Sequence, residues 1–377
     1  MKTALFVDGG SLIDERISGT GHVALRIIKF LSENDIFLRN YSLTVVIPFN
    51  KVSRLRKHGF NKNVRIKKVY LPARILNKLT TLNLLPPMDM FIGRGIYLFP
   101  NFRNWPLFNS KSITYIHDVA FKMYPEFIEP KNLAMLNSQI DTYMKRTDTV
   151  VTVSDSSERE LIEFFPYVKG KTAVVLNSID SAVFYPRPQE DIDKARQRYN
   201  LPEKYFIFLS SIEPRKNILN LLRAYEKLKN NTDTGLLLVG GMGWLNDDVI
   251  QKIDELRAEG KWVIRPSRYV PDEDIPALLS GSIALVHPAY HEGFGISPLE
   301  AISCGTPAIV ADIPVMREVL GDEGVYLNDP NDTDMLCSLM ENITKIAPGK
   351  RLMIQRAKLF SPDRCYSSLL DILDHLK

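Results

Sequence analysis

Two doubly wound α/β domains are the architecture this 377-residue sequence predicts, on three observations. Apolar runs of strand length alternate with helical patterns along the whole chain. The runs are continuously apolar, as parallel strands covered by helices on both faces require. The alternation restarts in the second half, and the length suits two cores better than one.

In the first half the strand candidates are 3–8 (TALFVD), 42–49, 64–71, 96–99, 112–118, 149–154 and 172–177. Helix patterns occupy 23–33, 132–146 and 155–165; the last opens on Asp155 with Glu158 three residues on, the spacing of a capping box. In the second half, strand candidates at 205–211, 235–241, 261–270, 283–289 and 307–313 follow the same rhythm. Between the first two lies a helix at 217–229, with Ile218, Leu221, Leu222, Tyr225 and Leu228 on one stripe. The proline-bearing stretch FYPRPQED (184–191) marks the boundary, giving domains at 1–184 and 185–360. A capped helix at 361–377 is expected to pack back on the first domain. Ligands of such sheets bind in the crevice at the carboxyl ends of the strands.

With 45% hydrophobic and 24% charged residues and aromatics throughout, the chain is expected to fold as a soluble globular protein rather than stay disordered. No run of 18 apolar residues predicts a spanning helix, and MKTALFVDGG lacks the pattern of a signal peptide. Three scattered cysteines, Cys304, Cys337 and Cys365, suit reduced thiols in the cytoplasm and neither a disulfide framework nor a zinc site. The net charge of +4 is uneven: from Ile36 to Met88 there are eleven Lys or Arg and no acid. Lys51, Arg54, Arg56, Lys57, Lys67 and Lys68 are therefore candidates to meet an anionic membrane surface or a phosphorylated acceptor. A solvated basic face is the other reading. No nucleic-acid-binding motif accompanies the charge.

Three loops carry candidate chemistry. SSIEPRKNILNLL (210–222) runs from a strand end through Arg215 and Lys216 into a helix start; two cations beside unpaired N–H groups suit a diphosphate, plain loop charges being the alternative. HEGFGISPLEA (291–301) places Glu292 and Glu300 on either side of Gly293, Phe294, Gly295 and Ile296. The glycines admit close approach of a phosphate or sugar, and a carboxylate accepts two hydroxyls of a ribose diol. A helix start at 297–302 puts Glu300 in the first turn, aimed at the ligand; an acid favoured only by the helix dipole is the alternative. TYIHDVAF (114–121) ends a first-domain strand on His117, followed by Asp118; a surface histidine is the alternative there.

The E-x7-E of EGFGISPLE, the EPRKN loop, HD after a first-domain strand and CGTPAIVAD together resemble the large retaining glycosyltransferase family of GT-B fold (glycosyl transferases group 1), most specifically over 205–320. The resemblance implies that Glu292 contacts the donor sugar, Glu300 the ribose, and Arg215 and Lys216 the diphosphate. It implies that His117 shapes the reacting centre and that backbone near Val270 meets the base. Relatives carry Gly and Arg where this chain has Ser210 and Ser211, so Arg215 is expected to serve for the missing arginine. The first loop, DERISGTGHVAL, is similar to the family's TGxGRY motif only at Gly21; Val23 and Ala24 replace its second Gly and its Arg.

The implied reaction moves a hexose, mannose or rhamnose, from a nucleoside diphosphate sugar to a glycan or lipid-linked acceptor with retention, in surface polysaccharide biosynthesis at the inner membrane face. Cations on the phosphates make a metal or other cofactor unnecessary. The acid pairs Asp191/Asp193 and Asp332/Asp334 read as solvated, and no histidine has HExxH spacing. A sugar-nucleotide epimerase of the same architecture and a non-catalytic sugar-nucleotide binder are the rival functions.

Overall fold

The computed structural model describes residues 2–13, 17–229 and 233–377. Asp14, Glu15 and Arg16 of the first loop lie outside the described residues, as does the Arg56 side chain. The chain divides into two units. The first comprises Met1–Lys122, Pro130–Ser178 and Pro362–Lys377; the second comprises Met123–Glu129 and Ile179–Ser361.

The first unit holds a seven-stranded parallel sheet: β1 (Thr3–Asp8), β2 (Tyr41–Pro48), β3 (Val64–Val69), β4 (Ile96–Phe99), β5 (Lys111–Tyr115), β6 (Thr149–Thr152) and β7 (Thr172–Val174), in the order β3-β2-β1-β4-β5-β6-β7. β1 is central, with Leu5 opposite both Leu43 and Ile96. Its Leu5 and Val7, like Val45, Val46 and Ile47 of β2, are sealed from water on both faces, which explains the unbroken apolar runs. The edge strand β3 is different: Arg65, Ile66, Lys67 and Lys68 are all exposed, and charge along an edge discourages pairing with another chain.

The second unit repeats the design with six strands: β8 (Lys204–Leu209), β9 (Thr234–Val239), β10 (Val263–Ile264), β11 (Leu285–His287), β12 (Ala308–Ala311) and β13 (Val325–Leu327), in the order β10-β9-β8-β11-β12-β13, all parallel. The helix Ile218–Lys227 lays the expected stripe, Leu221, Leu222 and Tyr225, into a core with Phe208, Leu238, Leu336 and Ile343. In each sheet the strand order reverses beside the first strand of the unit, between β1 and β4 and between β8 and β11. Those switch points are where ligands of open α/β sheets bind.

Several expectations need correction. The boundary falls at Ser178/Ile179 rather than after Phe184. The FYPRP stretch is tied into the second unit, where the Phe184 carbonyl accepts from Ser303 Oγ and the Arg187 N–H donates to Ser280 Oγ. The run 261–270 forms only the two-residue β10, and β13 was not foreseen. Ser154, not Asp155, caps the helix Asp155–Phe164, its Oγ accepting from the Ser157 N–H at 3.0 Å. The C-terminal segment forms two short helices, Pro362–Cys365 and Ser367–His375, rather than one. It is held to the first unit by Leu369 and Leu373, both fully buried, and by Tyr41 Oη donating to Asp374 at 2.7 Å. Among the described residues no helix is long and apolar enough to cross a membrane.

Candidate active site

The switch point of the second unit is built by the loops after β8 and β11. After β8, Pro214–Lys216 makes a tight helical turn that ends on Asn217, left-handed at φ 54°. The Asn217 side chain gives the next helix no cap; its amide donates instead to the carbonyls of Pro288 (3.2 Å) and Pro330 (2.6 Å), tying three loops together. The loop after β9 closes on the same segment. Ile212 N–H donates to Gly241 and Gly243 N–H to Ile212, both at 2.9 Å. At Gly240 (φ 153°) a Cβ would fall 1.8 Å from the Ser210 carbonyl oxygen, so only glycine fits.

Five ionisable side chains converge here. Arg215 donates to Glu213 at 3.0 Å, to Glu292 at 3.4 Å and to the His291 carbonyl at 2.6 Å. Lys216 is 6% exposed, bonds Glu292 Oε1 and lies 4.0 Å from Glu213. His287, at the end of β11, places Nε2 2.6 Å from the same Glu292 Oε1. Burial pushes the Glu292 carboxyl up, but Lys216, Arg215 and His287 together hold it well below the usual carboxylate range. Glu292 is thus ionised and acceptor-only, unfit to give or take a proton near neutral pH. Burial pulls His287 down, against the opposing pull of Glu292, and the nearby cations add to the fall.

Gly293 leads into Phe294 and Gly295. Phe294 is 3% exposed and meets Phe360 edge-on at 5.7 Å, which makes it an anchor of the loop. Gly295 (φ 92°) precedes the helix Ile296–Ser303. Glu300 is the fifth residue of that helix and buried, not a first-turn acid at its mouth as expected. Ser211 is half-buried and Val270 buried.

The segment Met123–Glu129 crosses onto these loops. Phe127 stacks on Tyr290 at 5.2 Å and on Tyr124 at 5.7 Å, while Trp244 Nε1 donates to the Phe127 carbonyl at 2.7 Å. Tyr290 in turn donates its N–H to the Arg215 carbonyl at 3.0 Å and its hydroxyl to Asn331 at 2.6 Å. An aromatic pile therefore braces the residues just before Glu292.

In the first unit, His117 lies two residues beyond β5, with Nε2 2.8 Å from the Pro100 carbonyl oxygen. Burial lowers its pKa, against the Pro100 carbonyl and Asp118. Asp8 closes β1 and accepts the Gly10 N–H at 3.0 Å; burial raises its pKa to about 6, against that bond and Arg103. Gly21 is buried in the first turn of the helix Gly19–Glu33, where a Cβ would meet the Ser11 carbonyl oxygen at 2.7 Å. Of the basic patch, Lys57, Lys67 and Lys68 are exposed, Lys51 is half-buried, and Arg54 donates to the Ile13 carbonyl.

The sequence-predicted Arg215, Lys216, Glu292 and the loop 293–296 come together within one unit. Missed were Glu213, His287 and Asp8, together with the aromatic segment around Phe127. Glu213 lies inside the EPRKN loop two residues before Arg215, and that spacing is its signal in the sequence. Asp332 caps the helix Thr333–Ile346 and Asp334 pairs with Lys227 at 2.7 Å. Among the described residues no group of three or more His, Cys, Asp or Glu is placed to hold a metal ion.

Residues 189–360 match the family model "Glycosyl transferases group 1". The O-antigen chain mannosyltransferase B of Escherichia coli is 33% identical over 284 residues, covering 73% of each chain. Among solved structures, sucrose-phosphate synthase from Thermosynechococcus elongatus aligns over 100% of this chain and 99% of its own with TM-score 0.75 and 17% identity. Anabaena HepE, solved with UDP-glucose, aligns over 99% of both chains with TM-score 0.70 and 17% identity. The fold is GT-B. The match to the family model together with 33% identity to the E. coli mannosyltransferase over 73% of each chain shows that this chain belongs to the glycosyl transferases group 1 family.

Proposed function

We propose that the protein is a retaining, metal-independent glycosyltransferase that moves a hexose, mannose before rhamnose, from a nucleoside diphosphate sugar to a hydroxyl of a glycan or lipid-linked acceptor in surface polysaccharide synthesis. The observation that carries this reading is the pair Arg215 and Lys216 at the switch point, beside a helix whose first turn has no side-chain cap. Such a site suits a diphosphate. The mannosyltransferase name of the E. coli relative supports the sugar, and the UDP-glucose bound by HepE supports the donor class.

In this reading the bond from the anomeric carbon to the diphosphate oxygen breaks as the bond to the acceptor oxygen forms on the same face. The acceptor proton passes to the departing diphosphate. Arg215 and Lys216 stabilise the charge growing on that leaving group, a kind of contribution worth roughly 3–4 kcal/mol per donor. Glu292 accepts from a sugar hydroxyl and Glu300 from the ribose. Backbone around Ser211, Val270 and Gly293–Ile296 shapes the donor pocket. His117 and Gly21 of the first unit serve the sugar and acceptor.

A melting panel of GDP-, UDP-, dTDP- and ADP-sugars tests the donor. A ligand at 100 times its Kd adds about 2.7 kcal/mol, so the true donor stands out. Activity unchanged by chelator and an α-configured product from an α-donor are expected; an inverted product would refute retention. Nucleotide release that needs no acceptor and yields an isomerised sugar would favour the epimerase instead. The basic patch is proposed to hold the enzyme at an anionic lipid surface. Lys51, Lys57, Lys67 and Lys68 changed together to Glu are expected to abolish sedimentation with anionic vesicles; unchanged sedimentation would end that part of the proposal.

A further inference from the structure

We infer that His287 is a positioning residue that fixes the Glu292 carboxylate for the donor sugar, independently of the two cations. The inference rests on the donor-site reading above and adds a residue to it. His287 is 2% exposed, and its ring lies parallel to Phe208 of β8, at 5.9 Å and 12°. Its Nε2 stands 2.6 Å from Glu292 Oε1, and its buried Nδ1 has no partner among the described residues. A carboxylate oxygen at that distance requires the proton on Nε2, which leaves Nδ1 as an unpaired buried acceptor. Such an orphan costs stability. A phenylalanine would stack on Phe208 without the cost. Packing therefore does not account for an imidazole here; the Nε2–H does.

Glu292 has three side-chain donors: Lys216 and His287 on Oε1, Arg215 on Oε2. Lys216 and Arg215 are also the groups a diphosphate recruits, so their grip on Glu292 changes when the donor enters. His287 is too buried to be recruited. It keeps Oε1 in place while Oε2 turns its free lone pair to a hydroxyl of the sugar. The groups facing the imidazole are Glu292, Lys216 and Arg215, with Phe208 on its flank.

Three variants of the full chain test this. His287→Phe removes the donor and keeps the ring. His287→Gln carries an amide N–H near the Nε2 position, and His287→Asn carries one that stops short of it. With the best donor from the melting panel, kcat of His287→Phe and His287→Asn is expected to fall roughly 10–100-fold, the worth of one hydrogen bond to a charged group. Calorimetry should show the Kd for the nucleoside diphosphate lacking sugar within about twofold of wild type, and His287→Gln should recover most of the rate. The inference is overturned if His287→Phe turns over at the wild-type rate. It is equally overturned if Gln is no better than Asn in folded protein, or if nucleoside diphosphate affinity falls in step with kcat. A wild-type protein that binds none of the nucleotide sugars would sink the functional reading itself, a result distinct from any pattern among the variants.

Discussion

The two sheets share a strand order around their switch points, yet the chemistry placed there is opposite. Beside β8 and β11, carboxylates and cations interlock: Glu213, Arg215, Lys216 and Glu292 neutralise one another in a buried cluster. Coulomb attraction wins there, and Glu292 stays ionised far below its usual range. Beside β1 and β4 the hydrogen-bond partners are backbone, the Gly10 N–H for Asp8 and the Pro100 carbonyl for His117, and the nearby charges Arg103 and Asp118 only partly offset burial. Desolvation wins there, raising the acid and lowering the base, so both are pushed toward their neutral forms. One topology has been given two electrostatic characters.

The largest test of that contrast is Lys216→Met. It leaves buried Glu292 with Arg215 and His287 alone, so transfer is expected to fall about 10²–10³-fold, and unfolding free energy by about 3–5 kcal/mol, the usual cost of breaking a buried pair. The buried ion cluster makes the fold itself depend on this lysine. Activity must accordingly be measured well below the variant's melting temperature. Unchanged stability would show that the cluster is not the Coulomb-dominated site described.

Asp8→Asn probes the other switch point. The folded-state pKa of Asp8 is raised from 3.8 to about 6, so the folded chain holds that proton more readily than the unfolded one. Its favourable contribution is present below pH 3.8 and is lost as pH rises through about 6. Asparagine keeps an acceptor for Gly10 without the charge. The variant should gain up to about 3 kcal/mol over wild type at pH 8 and nothing near pH 4. Denaturant unfolding at both pH values decides it, and a variant less stable at pH 8 would overturn the desolvation argument.

What could be read from the sequence follows the same divide. Arg215, Lys216 and Glu292 were legible because charges in a short segment between an apolar strand and a helix have few structural reasons to be there. Asp8 and His287 were not, since each closes a strand and reads as its last residue; only β8 stacking under His287 and the Glu292 contact reveal the latter. Tyr124 and Phe127 look like ordinary core aromatics until Trp244 and Tyr290, more than a hundred residues away, are seen against them. The short β7 and β11 lie inside longer apolar runs, 172–177 and 283–289, that announce them, whereas β13, Val325–Leu327, sits between Gly324 and Asn328 with no such run around it. The cap at Ser154 was misplaced by one residue because Asp155 is an equally good cap chemically, and only geometry chooses.

A smaller effect sharpens the donor side. Glu300→Gln is expected to raise the Kd for the nucleoside diphosphate about tenfold, near 1.4 kcal/mol, if a buried carboxylate takes the ribose hydroxyls. Because Glu300 lies one turn inside its helix, the loss should appear in nucleotide affinity and leave the rate at saturation nearly unchanged. A fall in kcat alone would place the residue at the sugar.

The smallest expected change separates the two helix starts that follow β1 and β8. In the first unit the Ser18 hydroxyl accepts from the Gly21 N–H at 3.4 Å, a long bond, so Ser18→Ala should cost only about 0.5 kcal/mol. In the second unit Asn217 gives no cap, and its amide binds the Pro288 and Pro330 carbonyls instead. Asn217→Gly keeps the left-handed backbone available while removing both bonds. Its effect should therefore reach beyond stability, loosening the loop that carries Arg215 and weakening nucleoside diphosphate binding, which Ser18→Ala leaves untouched. If both substitutions lowered stability alone, the open helix start after β8 would be an accident of loop packing. If only Asn217→Gly lowered affinity, the first turn would be kept uncapped by side chains so that an anion can occupy it.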